Sequence, residues 1–174
     1  MSMLLLLKGF EVELFTGLPN GEHVGIAASA TNDLPGFVKE PDQRNIEFIT
    51  APNKNYSILK EALITPRVLL REWLALHNLT ILPGSTLNLG CSRSFERSDD
   101  SNPYHELIEK NYGTKVVTTS VHINLGIEKL SNLFSVLRLA RCEASLFLAL
   151  SASSPFLYGL PAGAHSQRWI QFPK

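Results

Sequence analysis

Hydrophobic and polar residues alternate from the start of this chain. In KGFEVELFTG, residues 8–17, Phe10, Val12 and Leu14 fall on one side of an extended strand, with Glu11 and Glu13 on the other. The pattern predicts a strand over residues 3–16. GLPNG, 17–21, reads as a turn, and the apolar run HVGIAAS predicts the second strand of a hairpin. Residues 31–43 contain Pro35, Gly36 and Pro41 and read as loop. RNIEFITAP, 44–52, alternates again: Ile46 and Phe48 share one face, Asn45, Glu47 and Ile49 the other.

Helical spacing then takes over. Residues 57–76 carry Leu59, Leu63, Leu70 and Leu74, and Pro66 predicts a kink or two consecutive helices with Thr65 as a cap. TILPGSTLNLG, 80–90, predicts two short extended pieces around Pro83-Gly84, and 91–103 is a polar, mobile loop. PYHELIEKNYG predicts a short helix ended by Gly113. KVVTTSVHINLGI, 115–127, is one β-rich run, and residues 129–150 predict a long core helix. The remainder reads as loop. Strands precede and interrupt the helices without a βαβα rhythm, which predicts an α+β fold on an antiparallel or mixed sheet with helices on one side.

Composition narrows the function. The 174 residues are 44% hydrophobic, enough for one ordinary core. Sixteen basic and sixteen acidic residues cancel. No basic stripe points to nucleic acid or a membrane surface, so any partner is met in a local site. The opening MSMLLLLKGF lacks a basic leader and a cleavage site, and Arg138, Arg141 and Glu143 interrupt the apolar run 130–150. Cys91 and Cys142 stand alone and read as reduced, buried or half-buried thiols of a cytoplasmic protein.

Three strands repeat one oddity. Glu11 and Glu13, Glu47, and then His122 and Asn124 of VHINLG each oppose an apolar face. Any one of these is compatible with a wet sheet face. Together they place acids and an imidazole where like charges repel, unless divalent cations sit between them. Hard oxygen donors without paired thiolates suit Mg²⁺ or Mn²⁺, and Mg²⁺ commonly joins carboxylates to nucleotide phosphates. Glu40, seven residues before Glu47, is a loop acid able to join them, with Asp42 a rival donor. There is no GxxxxGK[ST] or GxGxxG phosphate loop and no nucleophile elbow.

KGFEVELFTG, EPDQRNIEFITAP, ILPGSTLNLG, NPYHELIEKNYGTKVVTTSVHINLGI and the closing LALSASSPFLYG and HSQRW, in this order, resemble the glutamate–cysteine ligases of cyanobacterial type. They are similar, more distantly, to the bacterial carboxylate–amine ligases. The resemblance implies a glutamine-synthetase-like sheet curled into a funnel. It implies ATP- and Mg²⁺-dependent joining of the glutamate side-chain carboxylate to cysteine through a γ-glutamyl phosphate, the first step toward glutathione. It also implies metal-binding roles for Glu11, Glu13, Glu40, Glu47 and His122, and a phosphate- or carboxylate-holding role for Arg168 of Ser166-Gln167-Arg168. Family members continue well past the Ser-x-Arg segment. The expectation is therefore that residues 1–174 form a single domain or the N-terminal part of a larger catalytic domain. The funnel would be incomplete, and the chain inactive alone or dependent on a complementary C-terminal chain or self-association. The residues do not reveal the amine acceptor, and a carboxylate–amine ligase with another acceptor, or a non-catalytic binding module, remains an alternative.

Overall fold

In the computed structural model, which describes residues 6–90, 94–157 and 160–171, the first alternating run forms β1 (Leu7–Gly17). There follow α1 (Ala27–Asp33), β2 (Phe37–Lys39), β3 (Asn45–Ile49), α2 (Tyr56–Leu76), β4 (Thr80–Leu82), β5 (Thr86–Asn88) and α3 (Pro103–Tyr112). The chain continues through β6 (Val116–Thr118), β7 (Val121–Gly126), α4 (Leu130–Cys142), α5 (Ala144–Ser151), β8 (Phe156–Leu157), β9 (Leu160–Pro161) and α6 (Gln167–Gln171). The α+β class and the antiparallel sheet are as predicted.

β1 is the axis of the main sheet. It pairs antiparallel with β3 along one edge. Its other edge is shared: β7 pairs residues 7–12 and β4 pairs 15–17. β2 lies outside β3, and β5–β6 and β8–β9 are separate two-stranded ladders. Gly17 sits where β4 and the following turn close on the strand end. A Cβ there would lie 2.1 Å from the Glu22 carbonyl oxygen, so no other residue fits without a shift.

Two cores use the two faces of β1. Val12, Ile46 and Phe48, with Phe10 and Leu14 at their margin, pack against Ala27 and Ala30 of α1 and Leu70, Trp73 and Leu74 of α2. Trp73 Nε1 donates to Asp33 Oδ2 at 3.1 Å, tying the two helices together. On the opposite face Phe15 joins Leu82, Leu87, Leu89 and Val117. Glu11 and Glu13 share that face with Phe15. The second core therefore walls one end of the acidic surface.

Several expectations are corrected. HVGIAAS makes only a bridge from His23 to Gly17 before Ala27 enters α1. The helix wins because Gln43, distant in sequence, caps it: its backbone carbonyl accepts from Ala27 N and its Oε1 from Ala28 N. Residues 31–43 are accordingly not all loop; they hold the end of α1 and β2. α2 is one continuous helix with Pro66 inside it. Its cap is Asn55, not Thr65, accepting from Ser57 and Ile58 N. Burial of Leu59, Leu70 and Leu74 on both sides of Pro66 offsets the missing backbone bond.

The run 115–127 divides at Thr119-Ser120 between the β5–β6 ladder and the main sheet. The predicted helix 129–150 breaks at Glu143, and neither α4 nor α5 buries a residue. It is therefore not a core helix. Leu130 is 75% exposed, Phe134 69% and Leu150 76%, and nothing among the described residues covers their side. Cys142 is likewise exposed rather than buried. The closing segment carries the β8–β9 hairpin and α6 instead of loop alone. Residues 3–5 of the first predicted strand, and Cys91, lie outside the described residues. Among the described residues no helix is long and apolar enough to cross a membrane.

Leu70 is fully buried between sheet and helix. Leu70→Ala is expected to cost ~2–5 kcal/mol in urea unfolding, while Leu150→Ala stays within ~0.5 kcal/mol. Equal costs would contradict this placement of the core.

Candidate metal centre

Strand register brings the acids together. Glu13 lies directly opposite Glu47, and Glu11 directly opposite His122. Glu40 follows β2, and its side chain returns to the same face. Carboxylate oxygens of Glu13, Glu40 and Glu47 all lie within 4.8 Å of one another. The three acids come from one central strand, its neighbour and the loop between β2 and β3.

Glu11 stands one step away from this trio. Its Oε2 accepts from His122 Nδ1 at 3.0 Å and its Oε1 from Asn124 Nδ2 at 2.7 Å. The other ring nitrogen, Nε2, lies 4.0 Å from Glu13 Oε1. That is the arrangement of a metal-binding imidazole oriented by a carboxylate. Glu11 thus stands behind the histidine, while the trio supplies the closely spaced oxygens.

Glu13 is held by two hydrogen bonds. Its Oε2 accepts from Ser120 N at 2.9 Å and from Asn45 Nδ2 at 3.3 Å. Asn45 also donates to the Thr118 carbonyl at 3.0 Å. Asn45 is 2% exposed, and its own Oδ1 has no partner. Arg168 lies against the same corner. Its guanidinium donates to Thr119 O at 3.2 Å and to Ser120 Oγ at 2.6 Å, and its backbone N–H to Ser154 Oγ at 3.0 Å. Two of its five donors are spent this way, leaving three for an anion. Glu13, Ser120, Arg168 and Trp169 line a cleft of about 1180 Å³, as do Arg67 and Arg71 of α2.

Asp42, the rival donor, is committed elsewhere. It is 1% exposed, and it accepts from Arg44 Nε at 2.7 Å and Arg44 Nη2 at 2.6 Å, a paired contact inside the protein. It also accepts from the backbone of Arg44 and Glu96. Arg44 in turn donates to Ser94 O at 2.8 Å. The described part of the loop predicted to be mobile is thus fastened to the segment that carries Glu40.

The trio is electrostatically loaded. Burial, then the charges of Glu13 and Glu47, push the Glu40 carboxyl up to about 8. Burial raises Glu47 too, with Glu13 and Glu11 adding to it. Burial also raises Glu13, against its hydrogen bond from Asn45 and the nearby His122. Glu11 moves the other way, lowered chiefly by its hydrogen bond from His122. Hard, crowded oxygens reluctant to ionise together are a donor set that fits Mg²⁺ or Mn²⁺.

An antiparallel α+β sheet carrying convergent acids on one face defines a candidate divalent-cation protein. The model of glutamate-cysteine ligase family 2 (GCS2) matches residues 7–174, and the chain belongs to that family of ligases. The fold is similar to that in the crystal structure of a bifunctional glutathione synthetase from Pasteurella multocida, with a TM-score of 0.59 at 16% identity. That likeness covers 88% of this chain and 24% of the other, so the chain spans about a quarter of that enzyme's length. No similar sequence was found among curated proteins.

Asn45, Ser120 and the Asp42–Arg44 pair escaped the sequence reading. Asn45 had a signal, since it shares the face of Glu47. Ser120 had none, because its partner Glu13 is distant in sequence; Asp42 and Arg44 stand two residues apart, and their pairing shows only once both are buried.

Without a cation, Glu40 keeps a proton in the folded chain that it loses in the unfolded one. The unfolded state therefore binds fewer protons between pH 4.5, the ordinary value, and about 8. Stability then falls as pH rises through this window, the reverse of a paired carboxylate. Melting in a chelating buffer should show this decline, and Glu40→Gln should flatten it. A melting temperature that climbs across the window would overturn the assignment.

Proposed function

We propose that this chain is the acid-bearing portion of an ATP-dependent glutamate–cysteine ligase. Glu13, Glu40, Glu47 and His122 hold Mg²⁺ or Mn²⁺, with Glu11 orienting the histidine. The observation that carries the reading is the convergence of three acids, Glu13, Glu40 and Glu47, within 4.8 Å. The bound cation would neutralise nucleotide phosphate charge and stabilise the charge that develops during phosphoryl transfer.

The residues of the chain do the rest. The spare donors of Arg168 hold a phosphate or carboxylate in the cleft, and the Thr119-Ser120 corner fixes the direction of its guanidinium. The cleft runs from Glu13 and Arg168 to Phe147 and Leu148 of α5. The side-chain carboxylate of glutamate takes the γ-phosphoryl group of ATP, releasing ADP. The amine of cysteine then displaces phosphate from the acyl phosphate, giving the γ-glutamyl amide.

The working unit contains more polypeptide than the described residues. The apolar sides of α4, α5 and β7, with Ile123 60% and Phe147 55% exposed, support this reading. That polypeptide is further chain of the same catalytic domain, a complementary chain or a second copy. The setting is cytoplasmic.

Calorimetric titration with Mn²⁺ tests the centre. Altering a group that only orients a metal ligand typically costs 10–100-fold in affinity, so Glu47→Gln, which removes a proposed ligand oxygen, is expected to lose about a hundredfold or more. Unchanged affinity would sink the metal reading. Cysteine-dependent ADP release, with product analysis against other amines, tests the acceptor; turnover with a different amine alone would reassign it within the carboxylate–amine ligases.

A further inference from the structure

We propose that Ser98 is a positioning residue for Glu40, and that residues 94–98 form a strap that sets how tightly the acid trio binds a divalent cation. This rests on the cation reading above. Glu13 and Glu47 ride on paired strands, whereas Glu40 sits in the loop between β2 and β3, where no ladder holds its backbone. The strap supplies that hold. Gln43 N donates to Glu96 O at 2.7 Å and Ser98 N to Pro41 O at 3.0 Å, and Asp42 and Arg97 form a β-bridge. The Ser98 hydroxyl completes the row by donating a hydrogen bond to the backbone carbonyl of Glu40 itself.

The strap is anchored behind as well as in front. Ser98 is 6% exposed, and its Oγ lies 3.5 Å from Nδ1 of His105, which is 3% exposed on α3. Arg97 Nε and Nη2 donate to Glu109 of α3 at 2.7 and 2.9 Å. Asn102 caps the same helix by accepting from Tyr104 N at 3.0 Å. The path runs from a capped helix through two neighbouring side chains to the peptide that carries Glu40. Ser98 acts through that peptide.

The loss of one tether should leave the acid in place but loosely aimed, so that cation binding has to order it. A near-isosteric pair separates the hydroxyl from the volume: Ser98→Thr keeps the donor and Ser98→Val removes it. Mn²⁺ titration of the full chain, followed by electron paramagnetic resonance, should find Ser98→Thr within about twofold of the parent and Ser98→Val about tenfold weaker. A merely structural serine would lower the melting temperature of Ser98→Val without this difference in affinity. Equal Mn²⁺ affinity in the two variants overturns the proposal.

Hydrogen exchange on the unaltered chain gives a second readout that does not depend on a variant folding. Added Mn²⁺ should slow exchange at the Ser98 and Gln43 amides together with those of β3. Protection confined to β3 counts against the strap. Glu47→Gln distinguishes the two levels. If it binds Mn²⁺ like the parent, the cation reading fails and this inference with it. If it loses binding while Ser98→Val does not, only the role of Ser98 falls.

Discussion

The fixed register of β1 against β3 is the constraint on which the site depends. It sets Glu13 opposite Glu47, a pairing that isolated strands would avoid. The register cannot slip by one residue to relieve the repulsion. A slip would turn Val12, Ile46 and Phe48 out of one core and Phe15 out of the other. Apolar burial on both faces thus holds like charges together. The unfavourable contact is discharged by a retained proton or by a cation.

Two acids of one loop show how local surroundings decide the outcome. Asp42 and Glu40 are two residues apart, and each is drawn away from water. Asp42 meets a guanidinium in paired geometry and two backbone N–H groups, so its charge is matched where it lies. Glu40 meets Glu47 and Glu13, so its charge is opposed. The first acid fastens the loop, and the second is left with its charge opposed. Removing Asp42 would strand Arg44 without its counter-charge inside the protein and free the segment that aims Glu40.

Period-two alternation made the acidic face legible in the sequence. Glu11, Glu13, Glu47, His122 and Asn124 each stand opposite the apolar face of their own strand, because a strand allows only two directions for a side chain; the register then joins these faces. What stayed hidden depended on distant partners. Gln43 turns AAS into a helix start, and nothing near those residues announces it. Pro66 looked like a break because local rules ignore the leucines buried on either side. The β-rich run 115–127 gave no hint of a change of sheet at Thr119-Ser120. The apolar run 129–150 reads as a core helix, but a stripe does not name what covers it, and α4 and α5 bury none of their residues.

The chain's two tryptophans divide the molecule optically. Trp73 is 9% exposed, packed in the helix-bearing core and stacked 4.1 Å from His77. Trp169 is 66% exposed and lines the cleft beside Arg168. Their emission therefore differs in colour: blue from the shielded indole, red from the wetted one. Long-wavelength quenching by iodide follows events in the cleft, while the short-wavelength band stays silent until the core itself opens.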